Sequence, residues 1–175
     1  MRIAKTTPAE AAQLLRDDQK LLLTEIDGLS AEELRAPYQV QAGPLGHFCD
    51  SLHDLVGHVL MWDEITLAVL RDARNGLQHW SLDPRWETPE AGNALNVGGV
   101  EAGRHVPSDL LLHRWHSVGA ALIAEIEQYD EVAWTDPATG GGYYGGIGAL
   151  AEYVSTPPGY EIFGHAARHL KPENA

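Results

Sequence analysis

The stretch that decides the fold reads Ser51-Leu-His-Asp-Leu-Val-Gly-His-Val-Leu-Met-Trp-Asp-Glu64. Apolar residues recur in it at three- and four-residue steps and continue to Leu70, which is the period of an amphipathic helix. Ser51 followed three residues later by Asp54 resembles a capping box at the start of a helix, and Gly76 supplies a stop signal. The apolar residues cover a wide arc, so we predict that this helix packs against two neighbours.

His58 falls inside that arc. A buried imidazole must form a hydrogen bond or bind a ligand, because burying an unpaired polar group costs free energy. A satisfied core histidine and a ligand-binding histidine both remain open at this point. Asp54 lies one turn earlier, and we expect it to orient the His58 ring as a hydrogen-bond acceptor. Asp63 also points into the arc and needs a partner for the same reason.

Two further long helices and two short ones follow from the same periodicity. Thr7 and Glu10 form a capping box at the start of the first helix. Leu111, Trp115 and Leu122 belong to the core stripe of the third long helix. The predicted segments are a helix from Pro8 to about Gly28, a helical turn at residues 30–34, a helix from Ser108 to Tyr129 and a helical turn from Ile147 to Val154.

The segment from Leu77 to Pro107 shows no sustained period and contains several prolines and glycines. We expect a long loop here, either a lid or pocket rim or a surface excursion. A helical turn from Asn93 to Ala102 is the one ordered element that its sequence favours. The glycine-rich stretch from Asp130 to Gly148 is expected to be a flexible connection that contains a short hairpin.

The closing stretch from Pro158 to Leu170 is predicted to be a helix, because proline is tolerated in a first helical turn. His165 and His169 are four residues apart on it and therefore share one face, as in the H-x-x-x-H arrangement of zinc enzymes. Glu161 lies one turn earlier on the same stripe. Taken alone, the pair is equally typical of histidines that cap or solvate a helix C-terminus.

Composition limits the class of protein. The 175 residues suit one domain, and the formal net charge is −13, which disfavours nucleic acid and anionic membrane surfaces as partners. No apolar run approaches the roughly 20 residues of a membrane span. The single Cys49 excludes an internal disulfide and a multi-cysteine metal site. We therefore expect a cytoplasmic protein with residues 1–175 in a single domain.

The order of these pieces resembles the DinB/YfiT-like superfamily, which includes the mycothiol-dependent maleylpyruvate isomerases and the DfsB-type proteins. The residues from Ser51 to Glu64 are similar to the family's histidine- and tryptophan-containing helix, with His58 and Trp62 in the matching places. The segment from Gly164 to Leu170 is similar to its last-helix H-x-x-x-H. The resemblance implies an all-α fold, a four-helix bundle with a long loop between helices two and three.

The resemblance also implies a site that holds a divalent metal ion (zinc, nickel or iron), with His58, His165 and His169 as ligands. A register in which Glu161 replaces His169 stays open, because Glu161-x-x-x-His165 has the same spacing. The family further implies a low-molecular-weight thiol as a second cofactor and association as a homodimer.

The leading hypothesis is a metal-dependent thiol S-transferase or hydrolase that acts on a small electrophilic molecule in detoxification or stress response. Asp54 and Glu161 are the candidate catalytic acids, with Asp63 as a further one, although acidic side chains are often only solvated. Nothing in the sequence marks Cys49 as a nucleophile. The alternatives are a metal- or small-molecule-binding bundle without turnover and a purely structural interaction protein.

Overall fold

The structure, a computed structural model, describes residues 3–41, 48–138, 145–156, 159 and 161–170. Within these ranges the chain is helical and contains no β-strand, so the all-α prediction is confirmed. One 3-10 turn, Trp80–Leu82, lies between two of the helices in this part of the chain. The helices are α1 (Pro8–Ile26), α2 (Ala31–Arg35), α3 (Leu52–Arg74), α4 (Pro89–Arg104), α5 (Ser108–Ile126), α6 (Glu131–Thr135), α7 (Ile147–Ser155) and α8 (His165–Leu170).

The predicted starts of α1 and α3 are confirmed. The Thr7 hydroxyl accepts a hydrogen bond from the Glu10 amide, and the Glu10 carboxylate accepts one from the Thr7 amide, which completes a capping box. At α3 the Ser51 hydroxyl accepts a hydrogen bond from the Asp54 amide at 3.1 Å. Each cap satisfies amide groups that have no partner inside the helix.

Helix α3 lies at the centre of the molecule. It packs against α4, α5, α7 and α8, while α1 packs against α5 and α8. Residues of α3 are buried on most of its circumference, which explains the wide apolar arc in its sequence. The stripe predicted for α5 is also buried, with Trp115 and Leu122 at its centre. The described ranges contain eight helices, which include short ones of five to nine residues beside the long ones.

The long loop predicted from Leu77 to Pro107 is wrong, because a 16-residue helix, α4, occupies half of it. Four glycines lower the helical propensity of this segment. Two of them allow α4 to lie close to α3: a Cβ at Gly103 would lie 3.3 Å from Cα of Gly57, and one at Gly99 would lie 3.0 Å from Cγ of Met61. Tertiary packing therefore outweighs the local preference.

The final helix is shorter than predicted. It begins at His165, residues 161–164 are not helical, and the predicted start at Pro158 lies outside the described residues. Phe163 adopts a left-handed backbone conformation (φ 56°), which interrupts a helix. That conformation costs roughly 1–2 kcal/mol, and the burial of the Phe163 ring, worth roughly 1.5–3 kcal/mol, offsets it.

The connection from Asp130 to Gly148 also differs from the prediction. Residues Glu131–Thr135 form α6, which opens with a hydrogen bond from the Ala133 amide to the Asp130 carboxylate. The glycine cluster in which a hairpin was expected, residues 139–144, lies outside the described residues. The helical turn predicted after it is confirmed as α7. Within the described ranges, each helix is either too short or too polar to cross a lipid bilayer.

Candidate metal centre

Helix α3 carries the first histidine of the site. His58 lies in the second turn of this helix and is buried, with 3 % of its surface exposed. It faces α8 because the apolar residues around it turn the same side of α3 toward the core. The sequence places an imidazole in a position that otherwise suits an aliphatic side chain, so its nitrogens must find partners inside the protein.

Helix α8 carries the other two histidines. His165 and His169 are one turn apart and both are buried. They point toward α3, with ring centroids 4.8 Å and 5.2 Å from that of His58. The structure therefore brings together the three histidines that the sequence singles out. One nitrogen from each ring lies within 4.8 Å of the other two.

The hydrogen bonds of these rings bear on their tautomers. Nδ1 of His169 donates to the main-chain carbonyl of Gln41 at 2.9 Å, which leaves the lone pair of this imidazole on Nε2. The Gln41 amide in turn donates to the His169 carbonyl at 2.8 Å. Nε2 of His58 lies 3.0 Å from Nε2 of His165. Nδ1 of His58 is buried without a hydrogen-bond partner among the described residues.

All three imidazoles are held in the neutral form. Burial lowers the pKa of His58 to about 3, and the nearby His169 adds to the effect. Burial and the two neighbouring rings lower the pKa of His165 well below its usual value. Burial also lowers the pKa of His169, with the hydrogen bond to Gln41 acting in the opposite direction. A neutral imidazole is the form that binds a metal ion.

The donor set fits a divalent transition metal. Three neutral imidazoles suit zinc, nickel or iron, and a His169 ring that donates its other N–H to a carbonyl has the second hydrogen bond typical of metal-binding histidines. Ligand nitrogens around tetrahedral zinc lie about 3.3 Å apart. Nε2 of His58 and Nε2 of His165 lie 3.0 Å apart, and one nitrogen from each ring lies within 4.8 Å of the other two, so the three rings are close enough to bind one ion.

Asp54 lies elsewhere than the sequence predicts. Its carboxylate accepts hydrogen bonds from Nε and Nη2 of Arg104 at 3.1 and 2.9 Å and from the Asp50 amide at 3.3 Å. Burial acts to raise the pKa of Asp54, but the Arg104 and Asp50 hydrogen bonds outweigh it and lower the pKa below its ordinary value. Asp54 therefore does not orient the His58 ring; it joins the start of α3 to the end of α4.

Glu161 does not lie on α8. It is exposed in the turn that precedes the helix, because the left-handed Phe163 separates the two. The described acidic side chains contribute no member to the histidine cluster. Asp63 is buried on α3, and burial together with the charges of Asp18 and Glu64 raises its pKa to about 8. Burial raises the pKa of the Cys49 thiol to about 12, which agrees with the expectation of an inert cysteine.

Two residues near the site were missed from the sequence. Gln41 contributes only main-chain atoms, so its side chain gives no signal. Asp18 does give one: it interrupts the apolar stripe of α1, between Leu15 and Leu22, and a carboxylate in such a position needs a partner inside the protein. Its oxygens accept hydrogen bonds from the amides of α8 directly after His165.

Comparison with known proteins gives structural relatives only. No family model and no curated protein sequence matches this chain. An uncharacterised protein from Escherichia coli UTI89 has a similar structure, with a TM-score of 0.69 and 14 % identity over 95 % of this chain and 90 % of that one. The colibactin self-resistance protein ClbS, solved in complex with dsDNA, has a TM-score of 0.68 and 14 % identity over 93 % of this chain and 91 % of its own.

These matches show a shared fold, and they correct one expectation. The net acidity of the chain predicts that nucleic acid is not a partner, but a protein with this fold has been crystallised with dsDNA. That inference was wrong because total charge says little about the local surface that contacts a phosphate backbone. The chain thus shares the helical fold of ClbS and of the Escherichia coli protein.

Proposed function

We propose that this protein is a metal-dependent enzyme of the DinB-like type that acts on a small electrophilic molecule. His58, His165 and His169 would hold one divalent cation. The observation that carries the proposal is the convergence of three buried imidazoles from two helices. Burying three such rings together is unfavourable unless their nitrogens share protons or an ion, so the cluster favours a ligand over a simple core.

The residues around the site supply binding and orientation. The Gln41 carbonyl fixes the His169 ring, and the surrounding apolar side chains exclude water from the imidazoles. Three protein ligands leave an open coordination position for a substrate or for water. A cation held by the three histidines would act as a Lewis acid and would lower the pKa of a thiol or water bound to it. A thiol nucleophile defines an S-transferase, and hydroxide defines a hydrolase.

One structural relative supports the detoxification role. ClbS is described as a colibactin self-resistance protein. We extend that role to this chain as a defence against reactive small molecules. The four-helix-bundle assignment, with His58 on the second long helix and the histidine pair on the last helix, is part of the same proposal and is supported by the order of the two sequence motifs.

The alternative is a metal- or small-molecule-binding protein without turnover. It is favoured by the absence of an acidic side chain from the histidine cluster among the described residues, because a carboxylate there could serve as a general base. A surface groove of about 430 Å³ between α3 and α4, lined by Met61, Ile65, Trp80 and Gly98, offers a second place for an apolar ligand.

Elemental analysis of protein purified without a histidine tag tests the proposal. We expect about one zinc, nickel or iron ion per chain, and its loss in His58→Ala and His165→Ala. His113→Ala is the matched control, because His113 is an exposed histidine on α5. Metal-dependent turnover of electrophiles with glutathione, mycothiol or bacillithiol, or of simple esters with water, separates the enzyme from the binding protein. A metal-free wild type would contradict the enzyme and the metal-binding protein, and would leave small-molecule binding as the remaining alternative.

Duplex DNA is a second candidate ligand, because ClbS was crystallised with it. Fluorescence anisotropy with a labelled duplex at 50 and 200 mM salt tests this directly. Binding through arginine–phosphate contacts is expected to weaken steeply between the two salt concentrations. Equal binding at both would point to contacts of another kind, and absence of binding at 50 mM would remove this candidate.

A further inference from the structure

Asp18 forms a link between the first helix and the last. It is buried on α1, and its two oxygens accept hydrogen bonds from the amides of Ala166 (2.9 Å) and Ala167 (2.7 Å). Ala166 and Ala167 follow Asp18 by 148 and 149 positions in the sequence. Both amides belong to the first turn of α8, directly after His165.

The first amides of a helix have no partner inside it, and a capping side chain just before the helix usually accepts from them. At α8 the capping role belongs to the carboxylate of Asp18, which lies on a different helix, α1. The bonds are charge-assisted, and the negative charge lies at the positive end of the helix dipole. A helix of six residues is not stable alone, so contacts from outside determine where it lies.

We propose that Asp18 is a positioning residue for the metal centre, an inference that rests on the proposed function. By holding the first turn of α8, it sets the translation and rotation of that helix and so directs His165 and His169 at His58. Gln41 holds the other end of α8: its main-chain carbonyl accepts from the His169 ring, and its amide donates to the His169 carbonyl. Metal–ligand distances tolerate only about 0.2 Å, so release of either end weakens the site.

The test measures Co²⁺ affinity by chelator competition, together with the visible absorption of the bound Co²⁺ and circular dichroism. Asp18→Asn keeps the shape of the side chain but leaves one oxygen as acceptor, and we expect it to bind Co²⁺ roughly 10–100-fold more weakly than the wild type. Asp18→Glu keeps the charge but moves the oxygens by one methylene, and we expect weaker binding with an altered spectrum. Asp17→Asn, an exposed neighbour on α1 whose carboxylate accepts from Gln13, should bind as the wild type does.

A role in folding alone would lower the melting temperature of Asp18→Asn and leave its Co²⁺ affinity and spectrum unchanged, and this result would overturn the inference while the proposed function stands. Failure of the wild type to bind Co²⁺ would overturn the proposed function and this inference with it. Weakened binding in both Asp18 variants, with native helix content and normal binding in Asp17→Asn, is the outcome that supports a positioning role.

Discussion

Nε2 of His58 lies 3.0 Å from Nε2 of His165, although 107 residues separate the two in the chain. Two lone pairs at this distance repel each other unless a proton or a cation lies between them. Burial keeps both rings from gaining a second proton, because the charged form is poorly solvated there. The two Nε2 atoms are therefore placed to share one proton or one cation.

The first prediction concerns ligand-dependent stability. A cation that binds only the folded chain at 100 times its Kd adds about 2.7 kcal/mol to the free energy of unfolding. We expect Zn²⁺ to raise the melting temperature of the wild type and of His113→Ala by several degrees and to leave that of His58→Ala unchanged. Differential scanning fluorimetry with and without Zn²⁺ measures these melting temperatures. An equal rise in His58→Ala would place the bound metal elsewhere.

The second prediction compares two ion pairs that each join different helices. Arg104 pairs with the buried carboxylate of Asp54, whereas Arg114 pairs with the partly exposed carboxylate of Glu64 at 2.7 Å. Arg104→Ala leaves a buried charge uncompensated, and because Arg104 itself is partly exposed we expect a loss of roughly 2–4 kcal/mol. Arg114→Ala should cost less than about 1 kcal/mol. Urea unfolding measures both, and similar losses would contradict the role assigned to the Asp54 pair.

The third prediction concerns the glycines of α4. A Cβ at Gly103 meets the α3 backbone at Gly57, whereas a Cβ at Gly98 meets nothing within 4 Å. Gly103→Ala should therefore destabilise the protein by roughly 1–2 kcal/mol, and Gly98→Ala should stabilise it by up to about 1 kcal/mol through higher helix propensity. Thermal unfolding of the two variants measures both stability changes. Stabilisation by both would mean that α4 does not need its close approach to α3.

The fourth prediction concerns pH. The pKa of Asp63 rises from 3.8 to about 8 in the folded chain, because of burial and the charges of Asp18 and Glu64. Between these values the folded chain keeps a proton that the unfolded chain has released, so stability falls as pH rises. The contribution is fully present below pH 3.8 and is lost as pH rises through about 8.

Asp63→Asn removes this titration. Relative to the wild type, the variant should gain stability with rising pH across the window, with a slope approaching about 1.4 kcal/mol per pH unit, and the difference should level off above it. Denaturant unfolding at pH 5, 6, 7 and 8 gives the slope. Parallel profiles for the two proteins would mean that Asp63 ionises at its ordinary pKa in the folded state.

Local chemistry explains the parts of the fold that the sequence predicted. Thr7 with Glu10 and Ser51 with Asp54 mark where two helices begin, because capping depends on neighbours within a few residues. The periodicity around His58 identified the buried helix for the same reason. Only the turn from Asn93 to Ala102 of helix α4 was predicted, because its glycines are unfavourable locally and become favourable only where another backbone lies within 4 Å of Gly103.

The sequence by itself determined the helical class of this protein, the three candidate histidines and the face on which two of them stand, since periods of three and four residues follow from helix geometry alone. The tertiary structure decided the rest. It paired Asp54 with Arg104, separated Glu161 from α8 through Phe163, and placed Asp18 at the first turn of that helix. Each of these contacts joins or redirects segments whose relative position depends on the packing of the whole core. A local sequence pattern therefore does not predict them.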